Sequence, residues 1–171
     1  MFHGWENFFI MAGTAAATLI GLMFVVITLS VSLVTTPAAR GVHAFVTPVL
    51  VHFGGVLLLS LVVLVPWPSA WPAGVLLGLI GIGGITYAIV VLRLLRQLEF
   101  VALKIRDWIT YGGAPGLANV GLVAAAVGTI TERTFAPYAV AGAIVLLLFV
   151  GLLDAWDVTL WIIKKREPAE P

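Results

Sequence analysis

The sequence is poor in charge and contains no cysteine, and both shortages restrict what the protein can be. Only 10% of its 171 residues are Asp, Glu, Lys or Arg, whereas 61% are hydrophobic. A water-soluble domain is about one-quarter charged, so a chain with so few charges is covered mainly by lipid. The absence of cysteine excludes disulfides, thiolate nucleophiles and cysteine-ligated metals. We therefore expect one integral membrane domain over residues 1–171.

Signatures of nucleic-acid binding and of catalysis are missing as well. The net charge is +1 and the sequence has no basic stripe, so we expect no nucleic-acid partner. The sequence contains no Gly-Lys-Ser phosphate loop, no His-Glu-x-x-His motif and no Gly-x-Ser-x-Gly motif. Gly81, Gly83 and Gly84 lie inside an apolar run, where they cannot form a nucleotide-binding loop. We expect no enzymatic activity, no catalytic residue, no cofactor and no metal.

Long apolar runs dominate the sequence, and they predict an all-α, polytopic transmembrane helix bundle. A helix needs about 20 apolar residues to cross a bilayer. Four runs satisfy this length, at residues 7–34, 42–65, 73–95 and 138–163. A fifth run at residues 115–131 is shorter and consists mostly of Ala, Gly and Val. Hydropathy alone leaves that segment undecided.

The distribution of basic residues favours five spans with the N-terminus outside. Cytoplasmic segments of membrane proteins carry an excess of Lys and Arg near the helix ends. With five spans, Arg133 lies outside, and eight cations face the cytoplasm, namely Arg40, Arg93, Arg96, Lys104, Arg106, Lys164, Lys165 and Arg166. With four spans, the best division of the nine cations is six to three. Four spans with a re-entrant or half-spanning fourth segment are the alternative.

Two further features complete the predicted topology. Residues 97–111 have apolar positions at helical spacing, which is typical of an amphipathic helix at the membrane surface. The first apolar run is longer than that of a signal peptide, and Glu6 precedes it in place of Lys or Arg. We expect this run to persist as the first helix, with cleavage after Ala38 or Ala39 as the alternative.

Small residues recur at spacing four on several runs, as in Gly13, Ala17 and Gly21 of the first run. Such stripes let helix backbones approach closely in lipid. They indicate either packing within one bundle or association with a second copy or another membrane subunit. The sequence leaves both interpretations open.

His52, Asp154 and Asp157 lie well inside the apolar runs, where a charge costs roughly 3 kcal/mol. At 1.5 Å per residue, His52 lies about 15 Å and Asp154 about 14 Å from the cytoplasmic ends of their runs. We therefore expect these two side chains to meet near the middle of the membrane, where they form an ion pair or share a proton. Asp157 follows Asp154 at position i+3 and shares its helix face.

Two interpretations of this polar cluster are open, a structural ion-pair network and an ion or proton pathway. Pro48 supports the pathway, because a proline inside a helix leaves a backbone carbonyl without its usual partner. The alternative is a kink that serves packing. The candidate pathway residues are His52, Asp154, Asp157, His43 and Thr47, and the candidate ion-pair partners are Arg40, Arg93 and Arg96.

Three segments resemble an uncharacterised family of small multi-pass bacterial membrane proteins with no assigned activity. They are residues 5–25, residues 43–53 and residues 154–161. The resemblance implies a location in the bacterial inner, or cytoplasmic, membrane and supplies no mechanism. We expect a non-enzymatic accessory component or small oligomeric subunit. The alternative is a homo-oligomeric ion or proton channel or transporter that uses the His/Asp cluster.

Overall fold

The residues that the structure describes form five α-helices, and none of them forms a strand. The computed structural model describes residues 2–31, 36–97 and 112–166, with their side chains except at 29–31, 36–46, 94–97 and 161–166. The helices are α1 (Glu6–Val31), α2 (Thr36–Leu64), α3 (Ala70–Gln97), α4 (Ala114–Ile130) and α5 (Ala136–Arg166). This confirms the predicted all-α bundle. Except for Gln97, the surface helix predicted at residues 97–111 lies outside the described residues.

The helices follow the apolar runs but extend further into polar sequence. The second begins at Thr36 rather than near Val42, and the last continues to Arg166 rather than ending at Ile163. Hydropathy marks the stretch suited to lipid, whereas backbone hydrogen bonding continues beyond it. Pro48 lies inside α2, which continues through it.

The centre of the bundle is formed by α2 and α5. Half of the apolar stretch of each is buried, compared with 22% in α1 and 17% in α3. The main packing order is α1 against α2, α2 against α5, α5 against α4, and α4 against α3. Fully buried side chains from these contacts form the core, among them Phe9, Phe53, Leu59, Leu122 and Ile144. The peripheral helices α1 and α3 leave wide apolar faces exposed, as expected where lipid replaces water.

One end of the bundle, which we call the amino end, collects the N-terminal residues and two turns. The Trp5 and Tyr138 rings meet edge-on there, with centroids 4.8 Å apart. Both residues line a cleft together with Trp67 of the α2–α3 turn and Arg133 of the α4–α5 turn. Successive helices are therefore antiparallel, and the chain passes along the bundle five times.

The short helix α4 runs beside α3 over most of its length. Gly74 of α3 packs next to Ile130 at the end of α4, whereas Gly112, just before α4, packs against Leu92. The interval from Leu92 to Gly74 is roughly 27 Å at 1.5 Å per residue, close to the 30 Å of a hydrocarbon core. The fourth segment thus lies alongside the long apolar helix α3, in the antiparallel direction, and does not turn back half-way.

Close packing of α3 on α4 depends on glycine. A Cβ at Gly84 would overlap the side-chain amide of Asn119, and a Cβ at Gly81 would lie 3.1 Å from the Asn119 carbonyl oxygen. Small residues bring two helix backbones together in this way. Gly81 and Gly84 of α3 therefore serve contacts within one chain. On α1, by contrast, Gly13 packs against Ser60 while nothing within 4 Å faces a Cβ at Gly21.

Candidate functional site: a buried histidine–aspartate pair

His52 of α2 and Asp154 of α5 form a buried contact between the two central helices. The Nδ1 atom of His52 lies 3.1 Å from Oδ2 of Asp154. The side chains are 6% and 2% exposed, so neither is solvated. This confirms the contact expected from their depths. Each residue lies at least roughly 18 Å from either end of its own helix at 1.5 Å per residue.

The contact has two protonation forms that share one geometry. In the first, Nδ1–H of His52 donates a hydrogen bond to the Asp154 carboxylate, and in the second a protonated carboxyl donates to Nδ1. The second carboxyl oxygen, Oδ1, is buried and accepts no hydrogen bond from the part of the chain that the structure describes. A proton on Oδ1 or Oδ2 would lower the cost of burying this group.

Close approach of α2 to α5 is what lets these side chains meet. The Phe53 ring, next to His52 in sequence, packs against the backbone of Gly151, one turn before Asp154. A Cβ at position 151 would lie 2.6 Å from the Phe53 ring, so a larger residue would separate the helices. Gly151 is therefore part of the site, although its sequence spacing indicated only helix packing.

Two further polar residues surround the pair. Asp157 lies one turn further along α5, is partly exposed, and is within electrostatic range of Asp154. Tyr87 of α3 is partly buried and also within electrostatic range of Asp154. The pair itself belongs to α2 and α5, and the side chain of Tyr87 on α3 lies within its electrostatic range. Nothing in the spacing of the sequence pointed to Tyr87, because its position depends on how α3 packs.

The remaining predicted residues do not join the buried pair in the described part of the chain. Thr47 is exposed on α2, and Arg93 is exposed near the far end of α3. The side chains of His43, Arg40 and Arg96 lie outside the described residues. An ion pair between Asp157 and an arginine stays a prediction.

Neither of two surface clefts reaches the pair. One lies at the amino end and the other is lined by residues of α5 between Leu152 and Thr159, and His52 and Asp154 line neither. Among the described residues, no group of three or more His, Asp or Glu is arranged to hold a metal ion. The pair is therefore a buried contact between α2 and α5 that neither of these two clefts connects to the surface.

The cleft at the amino end is a second polar feature, which we call the terminal cleft. It has a volume of about 870 Å³. It is lined by Trp5, Phe9, Trp67 and Tyr138, by Thr129, and by the charged residues Glu132 and Arg133 among others. The sequence alone indicates only a place at the membrane interface for these aromatic residues. The folding of five helix ends around one space is not visible in the sequence.

The turn from α4 to α5 places two charges in this cleft. The Arg133 N–H donates to the Gly128 carbonyl at 2.7 Å, and the Glu132 N–H donates to the Thr129 carbonyl at 3.1 Å. This is the hydrogen-bond pattern of a Schellman motif, in which the residue after the C-cap is left-handed and usually glycine. Glu132 occupies that position with φ of 54°. The motif fixes the backbone positions from which the Glu132 and Arg133 side chains project.

Comparison of the chain with protein-family models, with curated proteins and with solved structures finds no match in any of the three. Its function is therefore inferred from the geometry of the chain itself.

Proposed function

We propose that the chain is a non-enzymatic component of a bacterial inner membrane, an accessory or small oligomeric subunit. In this role the His52–Asp154 pair joins the two central helices and sets their register. The observation that carries the proposal is the burial of this pair, whose side chains are 6% and 2% exposed and line neither of the two clefts described above. A conduction pathway needs water or an ion at its ionisable groups, whereas a structural contact does not.

Orientation and assembly belong to the same proposal. Five antiparallel passes with the N-terminus outside place eight of nine cations on the cytoplasmic side. Ala17 and Gly21 are exposed on α1, and nothing within 4 Å faces a Cβ at Gly21. This small-residue face supports contact with a second copy or another subunit.

A homo-oligomeric ion or proton channel is the second candidate. It is supported by the free carboxyl oxygen Oδ1 of Asp154 and by Asp157 one turn away. An unpartnered carboxyl oxygen in a membrane bundle is a place where a proton or cation binds during transport.

Reconstitution into liposomes distinguishes the two candidates. Proton and monovalent-cation flux is measured for the wild type, for Asp154→Asn and for the matched control Thr159→Val on the same helix. The accessory role predicts no flux above empty liposomes for any of the three proteins. Flux that Asp154→Asn removes and Thr159→Val preserves would contradict it and establish the channel.

A further inference from the structure

The terminal cleft has three properties that the proposed membrane role does not explain. It is open at the amino end of the bundle, it is lined by both aromatic and charged side chains, and it contains a buried polar group without a partner. Clefts that combine apolar walls with a few placed polar groups are typical of ligand sites.

The unpartnered group is the Thr129 hydroxyl in the wall of the cleft. Thr129 is 0% exposed, and its Oγ1 has no hydrogen-bond partner in the described part of the chain. The neighbouring Thr131 hydroxyl, in contrast, bonds back to the Val127 carbonyl at 2.8 Å. A buried hydroxyl without a partner costs about 1 to 3 kcal/mol, and a polar atom of a bound molecule would remove that cost.

Glu132 and Arg133 in the cleft are adjacent and of opposite sign, and the cleft is also lined by Glu6 and His3. Neither the Glu132 carboxylate nor the Arg133 guanidinium forms an ion pair with any residue that the structure describes, whereas Glu6 pairs with His3 at 3.4 Å. A purely anionic ligand would meet repulsion from Glu132, and a purely cationic ligand would meet repulsion from Arg133. A group that carries both signs satisfies both side chains.

The aromatic walls favour an ammonium as the positive part. Trp5 and Trp67 line the cleft, and indole faces attract cations more strongly than other rings do. The planar guanidinium of Arg133 is suited to phosphate, which it can bind through two parallel hydrogen bonds. We propose that the terminal cleft binds an ammonium–phosphate zwitterion, the head-group chemistry of a zwitterionic phospholipid, through Arg133, Glu132 and the Thr129 hydroxyl.

Fluorescence titration of the full chain in an uncharged detergent tests this site, because two of its six tryptophans, Trp5 and Trp67, line the cleft. The probes are a short-chain phosphatidylethanolamine, the chain-free head glycerophosphoethanolamine, and a short-chain phosphatidylglycerol that has phosphate without ammonium. We expect saturable binding of the first probe. Arg133→Gln and Glu132→Gln should each weaken it roughly tenfold or more, the effect of losing one charged hydrogen bond.

Two further variants separate binding from folding. Arg93→Gln removes an exposed cation near the opposite end of α3 and should leave the affinity unchanged. Thr129→Val keeps the side-chain shape and should weaken binding several-fold without lowering the unfolding temperature of the free protein. A thermal melt of each variant identifies any that fails to fold.

The outcomes are distinct. Equal affinity for the chain-free head supports the zwitterion site and assigns its ligand to water-soluble molecules, whereas a much lower affinity supports a membrane lipid as the source. Absence of saturable binding, equal binding of phosphatidylglycerol, or wild-type affinity in the two charge variants of the cleft would overturn the proposal.

Discussion

At the scale of single residues, this protein differs from a purely apolar helix bundle because it buries polar side chains. His52 and Asp154 satisfy each other at 3.1 Å, and their burial depends on that contact. Removing one partner from a buried pair leaves the other uncompensated, which costs more than removing both. The interaction free energy between His52 and Asp154 can therefore be measured by a double-mutant cycle.

We expect His52→Ala and Asp154→Ala each to lower the free energy of unfolding by about 3 kcal/mol, because each leaves a buried polar group alone. The double variant should lose clearly less than the sum of the two. Unfolding in mixed micelles measures all three. Thr18→Ala serves as a control, since the exposed Thr18 hydroxyl bonds only to its own helix at the Thr14 carbonyl. Additive losses at positions 52 and 154 would show that the pair contributes no coupling.

Glu132 supplies a second test at this scale. Its φ of 54° is a left-handed conformation that costs a residue with a Cβ roughly 1 to 2 kcal/mol. Glu132→Gly should raise stability by about 0.5 to 1 kcal/mol, after allowing for the greater freedom of glycine in the unfolded chain. Glu132→Ala removes the same charge but keeps the Cβ, so it should not stabilise. Thermal unfolding in detergent compares them, and equal effects would argue against backbone strain.

At the scale of helices, two neighbouring glycines of α3 differ sharply in their surroundings. A Cβ at Gly84 would meet the Asn119 side chain of α4, whereas a Cβ at Gly83 would have nothing within 4 Å. Asn119 is itself held by a hydrogen bond from its amide to the Pro115 carbonyl at 2.7 Å. The amide therefore has little freedom to move aside.

Gly84→Ala should destabilise the protein by about 2 kcal/mol, since an added methyl in a packed contact forces helices apart. Gly83→Ala adds the same methyl facing outward and should be neutral or slightly stabilising, because alanine favours helix over glycine. Unfolding in mixed micelles gives both values. A similar loss at both positions would mean that helix propensity or lipid contact, not α3–α4 packing, sets the cost.

At the scale of the whole molecule, the five antiparallel passes place Ser69 and Thr134 at the same end of the bundle. The far end of α5 lies on the other side of the apolar region. Because the chain contains no cysteine, single cysteines can be introduced without background labelling.

Ser69→Cys and Thr134→Cys should react with a membrane-impermeant maleimide from the same side of the membrane, and Lys165→Cys should react from the opposite side. The proposed orientation further predicts that the first two react in intact cells. Labelling of Ser69→Cys and Thr134→Cys from opposite sides would contradict five passes. Labelling of both only in inverted vesicles would keep the five passes and reverse the orientation.

The sequence by itself determined the class of fold and located the five apolar segments that form helices in the described part of the chain. Long apolar runs permit few structures in lipid other than helices, because each backbone polar group must be satisfied within its own segment. The depth of His52 and Asp154 also followed from sequence, since a helix rises by a fixed distance per residue. Together with the five-span topology, that depth placed both side chains at one level, and the packing of α2 against α5 brings them into contact.

Only the tertiary structure decided which residues surround that contact and which glycines lie where two helices touch. Tyr87 lies within electrostatic range of Asp154, the Asn119 side chain packs at Gly84, and Thr129 lines the terminal cleft because of how the helices rotate and pack. In lipid, apolar side chains gain little by choosing one neighbour over another, so hydropathy carries almost no information on partners. Shape complementarity and hydrogen bonding between distant segments decide which side chains become neighbours. These contacts exist only once the helices are assembled.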